Sequence, residues 1–258
     1  MTLSVPPASR SLCLAALVLL LGACAHSAPR NPIATWVPSK NFDERRPVVI
    51  VLHYTEQESV EQSLDTLRSR NSGGRVSSHY LVGKDGTIYQ LVKDGQRAWH
   101  AGAGKWGAIT DVNNASIGIE IDNNGKTPYP DAQIDSLIVL LRDLTTRLRI
   151  PATQIIGHSD LAPTRKIDPG PLFPWKRLHE AGFGLWPAAD AGDPPPGFDP
   201  WLALQAVGYA VDNRGDTVRA FHHRFRGMEG TELDAEDLRI LYALTRTAAA
   251  ESPPPTTP

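Results

Sequence analysis

Apolar positions along the chain fall into a few recognisable patterns. Val48 to Leu52 is a continuous apolar run that ends on His53. Without polar alternation it reads as a strand buried on both faces, which places it at the centre of a helix-covered sheet. Glu58 to Arg70 carries Val60, Leu64 and Leu67 at helical spacing. Val76 to Val82 and Thr87 to Val92 are β-prone and flank Gly83-Lys84-Asp85-Gly86, a hairpin signal. Ile117 to Ile121 reads as a further strand with Glu120 inside it, and an unpaired carboxylate is costly to bury. Pro130 and Asp131 open the clearest helix, with Ile134, Leu137, Ile138, Leu141, Leu144 and Leu148 on one stripe and Pro151 ending it. Gln154 to Gly157 is a short strand leading into His158. These elements predict an α/β fold with a central mixed sheet flanked by helices.

Small residues and Pro194-Pro195-Pro196 mark a boundary at 186–197. Three helical patterns follow: Pro200 to Val207, Asp216 to Phe225 and Asp234 to Thr247. Val218, Phe221, His222 and Phe225 share one face of the second. A small C-terminal three-helix domain is expected over 198–248, followed by a disordered proline- and threonine-rich tail at 249–258. The catalytic unit is expected at 47–185.

The N-terminal end has a different pattern. Arg10, the apolar stretch Leu12 to Leu21 and the small pair Gly22-Ala23 have the layout of a secretory signal over 1–23, too short to span a bilayer comfortably. Leu21-Gly22-Ala23-Cys24 resembles a bacterial lipobox, in which Cys24 becomes the lipidated first residue. Residues 24–46 then read as a tether and entry loop. The expected location is the cell envelope, anchored through lipid. Ala25 after the cysteine points to the outer membrane, facing the periplasm of a Gram-negative cell. Both cysteines, Cys13 and Cys24, lie in this segment, so the folded body has no disulfide. The 258 residues are 41% hydrophobic, enough for a real core, and the net charge of −2 argues against a nucleic-acid partner. A monomer is expected.

Candidate chemistry gathers in Ile155 to Gly170, IIGHSDLAPTRKIDPG. With His53, the residues His158 and Asp168 make a two-histidine, one-carboxylate set, which suits a catalytic zinc that keeps one position open. Spacing alone leaves this undecided, since any one of the eight histidines is more often a satisfied surface or core residue.

From about Val48 to Trp175 the chain resembles the type 2 N-acetylmuramoyl-L-alanine amidases, a zinc family that includes peptidoglycan recognition proteins. The matching segments are VLHYT around His53, RVSSHYLVGKDG, AWHAG followed by Trp106, NNASIGIEI around Glu120, IIGHSDLAPTRKIDPG, and Phe173-Pro174-Trp175, in the family's order. Leader, body and C-terminal helices together are most similar to the outer-membrane lipoprotein subgroup. The resemblance implies that His53, His158 and Asp168 bind one catalytic Zn2+, that Glu120 is the catalytic base, and that Lys166 assists. It implies hydrolysis of the amide between N-acetylmuramic acid and L-alanine in peptidoglycan or muropeptides. A non-catalytic wall-binding lipoprotein, or cleavage at another bond, are the alternatives; the intact ligand set and Glu120 favour an enzyme. Some relatives use a tyrosine where Ser78 stands here, so that role does not carry over.

Other residues invite two readings each. Arg75 is a candidate partner for a stem carboxylate, and Trp99, His100 and Trp106 for sugar or peptide; solvated surface and loop packing are the bland alternatives. His79 is either a donor behind a metal ligand or a strand histidine satisfied by backbone. His222 and His223 point to different sides of a helix and make poor joint ligands. Phe221-His222-His223-Arg224-Phe225-Arg226 resembles the peptidoglycan-binding helical domains attached to such amidases.

Overall fold

The computed structural model describes residues 31–41, 46–71, 74–189 and 192–251. The expected leader, Cys24, the first part of the tether and residues 252–258 lie outside them. Strand β1 (Thr35–Trp36) precedes the buried run, which becomes β2 (Val49–Tyr54). Helix α1 (Val60–Arg68) starts where the Ser59 hydroxyl accepts from the Gln62 amide. A small pair, β3 (Arg70–Asn71) and β4 (Gly74–Arg75), leads to the hairpin β5 (Tyr80–Val82) and β6 (Ile88–Gln90), closed by Gly83 N donating to Thr87 O at 2.9 Å.

Strand β5 is shorter than the pattern predicts because its first residues bond elsewhere. Ser77 N donates to Trp99 O at 3.0 Å, and the Ser77 hydroxyl donates to Asn41 O at 2.8 Å. One short turn, α2 (Val112–Ala115), runs into β7 (Ser116–Ile121). Next come the long helix α3 (Asp131–Leu148), β8 (Ile155–Gly157), the single turn α4 (His158–Leu161) and α5 (Trp175–Glu180). The chain ends in α6 (Pro200–Val207), α7 (Arg214–Phe225) and α8 (Ala235–Glu251). Asp199 and Asn213 cap α6 and α7 by accepting backbone amides.

Six strands form one mixed sheet in the order β1-β6-β5-β7-β2-β8. Within this sheet β5 and β6 pair antiparallel, β1 runs parallel to β6, and β5, β7, β2 and β8 run parallel to one another. The pleat sorts residues by parity. Ile50, Leu52, Ile117, Ile119 and Ile121 pack with Ile134, Leu137, Leu140, Leu141 and Leu144 of α3. On the opposite face Val49, Val51 and Ile156 share a core with Ala203 and Leu204 of α6, Phe221 and Phe225 of α7, and Leu241 and Leu244 of α8. The C-terminal helices are thus the cover of the sheet's second face. Uncovering Val49, Val51 and Ile156 alone would cost on the order of 5 kcal/mol, comparable to the stability of a whole domain. Phe221, His222, His223, Arg224 and Phe225 are all buried, so these side chains of the segment that resembles peptidoglycan-binding helical domains face inward.

Candidate metal centre and active site

The site grows from the C-terminal ends of the parallel strands, where α/β sheets open towards ligands. His53 and Glu120 are register partners on adjacent strands β2 and β7. They share the parity of Val49, Val51, Ser116 and Gly118, so both lie on the face opposite α3. Leu52 pairs with Gly157, so His158 emerges from β8 beside His53. The loop after α4 returns Asp168 to the same point, held by Ser159 N donating to Asp168 O at 2.9 Å.

Three ligand atoms meet there. His53 Nδ1 is 2.9 Å from His158 Nδ1 and 3.1 Å from Asp168 Oδ2, and His158 Nδ1 is 3.0 Å from the same Oδ2. Ligands about 2.1 Å from a tetrahedral ion stand about 3.4 Å apart, close to these edges. All three residues are buried.

Partner chemistry fixes the imidazoles. His158 Nε2 is 2.8 Å from Ala101 O, which only accepts, so the proton sits on Nε2 and the Nδ1 lone pair faces the triangle. His53 is set through a relay. The Ser116 hydroxyl donates to Val112 O at 2.5 Å and so accepts from His100 Nε2 at 3.1 Å. His100 Nδ1 then accepts from His53 Nε2 at 3.0 Å, which again leaves the His53 Nδ1 lone pair inward. Gly118 makes room for this relay, because a Cβ there would lie 2.4 Å from the His100 ring. Two imidazole lone pairs and a carboxylate oxygen converging without a donor among them suit a cation. The residues fit a zinc ion.

Burial pushes the His53 imidazole down to about 4, helped by His158. Burial works to raise Asp168; with no metal bound, a proton on Nδ1 of His158 or His53 would bond to the carboxyl and hold it below the usual range. Glu120 is pushed well above it, by burial first and then by the Asp168 charge, with Lys166 opposing. Its Oε2 is buried and has no protein partner. An orphaned carboxylate oxygen beside a ligand triangle is what a base waiting for water and substrate requires.

A cleft of about 430 Å³ opens over this group, lined by Tyr54, Glu120 and His100 together with Ser63, Thr66 and Leu67 of α1. Lys166 and Arg165 line it as well. Of the four residues expected at the substrate, only His100 reaches the cleft, and its ring nitrogens are engaged by His53 and Ser116. Arg75 and Arg97 stack on Trp99 at 4.8 and 4.5 Å, and neither Arg75 nor Trp99 lines the cleft. Trp106 is buried edge-on against Tyr209 at 5.2 Å. His79 accepts from Gly118 N and donates to Gln96 O, both at 2.9 Å, the backbone-satisfied reading. The Ser78 hydroxyl lies 2.8 Å from the carbonyls of Tyr80 and Gly118 and is buried.

The sequence pattern does not single out Tyr54, Arg165, Ser116 or Asp160. Tyr54 directly follows His53, and Arg165 precedes Lys166, so adjacency was the available signal for both. Nothing in the pattern marks Ser116 or Asp160 as buried partners. Among the described residues no helix is long and apolar enough to cross a membrane.

Residues 43–171 match the family model for N-acetylmuramoyl-L-alanine amidase, Amidase_2. The chain is 42% identical over 230 residues to N-acetylmuramoyl-L-alanine amidase AmiD of Escherichia coli, covering 76% of this chain and 81% of that protein. It superposes on E. coli AmiD in complex with its substrate anhydro-N-acetylmuramic acid-L-Ala-D-γ-Glu-L-Lys with a TM-score of 0.69 and 33% identity, covering 85% of this chain and 93% of that one. AmpDh3 of Pseudomonas aeruginosa, in complex with anhydromuramic pentapeptide, gives a TM-score of 0.69 at 31% identity, covering 87% and 97%. With the ligand triangle and Glu120 on the matched segment, the chain belongs to the N-acetylmuramoyl-L-alanine amidase family and is an enzyme of that class.

Proposed function

We propose that this enzyme is a zinc amidase that hydrolyses the amide between the lactyl group of N-acetylmuramic acid and L-alanine of the stem peptide. The observation that carries the reading is the convergence of His53 Nδ1, His158 Nδ1 and Asp168 Oδ2 beside the unpartnered Oε2 of Glu120. Similarity to amidases solved with anhydromuropeptides supports peptidoglycan fragments as substrate. The intact ligand set weighs against a protein that only binds wall.

His53, His158 and Asp168 would hold the metal. When bound, zinc supplies a Lewis acid that polarises the amide carbonyl and acidifies water, and its charge opposes the burial that raises the Glu120 carboxyl pKa. Glu120 Oε2 accepts the proton of the attacking water and returns it to the nitrogen of the departing L-alanine. The Lys166 ammonium, on the cleft wall, stabilises negative charge developing on the carbonyl oxygen. The cleft's walls from β2 and α1 orient the stem peptide and exclude bulk water.

The cellular setting rests on the leader: Cys24 would be lipidated and hold the enzyme on the outer membrane, facing the periplasm, as a monomer. Mass spectrometry of a defined muropeptide after incubation with the zinc-loaded protein tests the reaction. Free stem peptide and intact sugar, one water heavier in sum, are the expected products. Cleavage within the sugar chain or inside the peptide would overturn the reading.

A further inference from the structure

The C-terminal helices reach the metal centre through one buried carboxylate. Asp160 lies two residues after His158 on the single turn α4, and it is 1% exposed. Its Oδ2 accepts from Gly157 N at 2.7 Å, closing the turn that presents His158. The same oxygen accepts from Arg224 of α7 at 2.8 Å, and Oδ1 accepts from the Tyr209 hydroxyl at 2.6 Å. Arg224 also donates to Ile155 O at 3.0 Å, so one guanidinium grips both the start of β8 and the turn after it. Its plane lies over Trp175 at 4.6 Å. Arg224 and Tyr209 are each 3% exposed.

Tyr209 has a second contact with the site. Its ring packs edge-on against Trp106, and Gly208 O accepts from Gly107 N at 2.8 Å. Trp106 and Gly107 belong to the glycine-rich loop whose Ala101 O accepts the His158 Nε2 proton. That loop is tied in turn to α4 by Lys105 N donating to Leu161 O at 2.8 Å. Residues 208–224 therefore hold both the segment that carries His158 and the segment that orients its ring.

The geometry points to Arg224 and Tyr209 as positioning residues for His158, acting through Asp160, so that the C-terminal helices are part of the metal centre's framework. A guanidinium fork suits this task, because its two separate nitrogens fix Ile155 and Asp160 at once, which a lysine ammonium does not. The inference rests on the zinc reading above. A comparable cluster, Arg226 with Asp234 and the fully buried Asp237, ties α7 to the start of α8 without touching a ligand-bearing segment.

That pair of clusters provides the experiment. Full-length wild type, Tyr209→Phe, Arg224→Lys and Arg226→Lys are compared by zinc competition with a chromogenic chelator, by the visible spectrum of the Co(II)-substituted protein, and by the thermal midpoint of the zinc-free protein. Tyr209→Phe and Arg224→Lys are expected to weaken zinc binding by about 10-fold and to change the Co(II) spectrum, as loss of a partner behind a ligand does. Arg226→Lys should lower the thermal midpoint while leaving zinc affinity and spectrum as in wild type. Wild-type affinity and spectrum in Tyr209→Phe, which removes a single hydroxyl and decides the matter should Arg224→Lys not fold, would overturn the inference. A wild-type chain that takes up no zinc would instead overturn the metal reading beneath it.

Discussion

The two faces of the sheet are built on different principles. The α3 face is mainly apolar and is covered chiefly by one helix whose stripe sits within a single stretch of sequence, with Phe173, Trp175, Leu178 and Phe183 joining it and a hydrogen-bonded group of Tyr80, Gln90, Asp94 and Arg147 at its margin. The opposite face changes character along the strands. At one end Val49, Val51 and Ile156 meet the C-terminal helices; at the other, His53 and Glu120 meet His100, His158 and Asp168. One face gives stability that tolerates conservative repacking. The other gives a site whose groups come from five separate segments, and small displacements there act on chemistry.

Substitutions sharpen that contrast. The largest effect is expected for His158→Ala, which should retain no zinc by elemental analysis and release no measurable stem peptide. Next is Glu120→Gln, which should keep one zinc per chain yet hydrolyse muropeptide about 10²–10⁴-fold more slowly. Equal zinc loss in both would make Glu120 a structural residue.

The faces themselves are compared by Leu141→Ala under α3 and Phe221→Ala under α7. Both should cost about 2–5 kcal/mol in denaturant unfolding, because each leaves a cavity in a fully buried cluster. Only Phe221→Ala, beside Arg224, should also weaken zinc binding in the folded protein. An equal change in zinc affinity for both would erase the distinction between the faces.

The smallest expected effect is in pH dependence. The folded-state pKa of His53 is lowered from 6.5 to about 4, so its contribution to stability is present above 6.5 and is lost as pH falls towards 4. Glu120 has the opposite sign: its raised pKa gives stability that is present below about 4.5 and is lost as pH rises. In the zinc-free wild type the two oppose each other. In zinc-free Glu120→Gln the thermal midpoint should fall more steeply from pH 6.5 to 4, by the equivalent of at most about 3 kcal/mol. Identical profiles for the two proteins would show that these buried charges do not set the pH response.

The contrast also explains what was legible in the sequence. The α3 stripe, the β2 run and the β5–β6 hairpin were readable because local periodicity and turn chemistry determine them. His53, His158 and Glu120 stand out because each leaves a strand end or breaks an apolar run, whereas Asp168 sits in a loop, and the roles expected of all four come from the family resemblance. The destination of the C-terminal helices was not: a proline-rich boundary at 186–197 looks like a separator, and no periodicity says that Phe221 and Leu204 pack on Val49 and Val51. The roles of His100 and Trp106 were hidden for a related reason. A glycine-rich aromatic loop reads as a groove wall, which His100 is, but the contacts of His100 to Ser116 and of Trp106 to Tyr209 are long-range and leave no local signal. Arg224 in a basic, aromatic helix likewise looks like surface until its partner Asp160, 64 residues away, is known.

Everything proposed for the chemistry depends on one metal held by three residues drawn from β2, α4 and the following loop. The most direct test is a zinc titration of chelator-treated full-length protein, following release of stem peptide from an anhydromuropeptide. Activity should be absent without metal and rise linearly to a plateau at one zinc per chain. Full activity in the chelated protein, or a plateau only at two equivalents, would contradict a single-metal site at His53, His158 and Asp168.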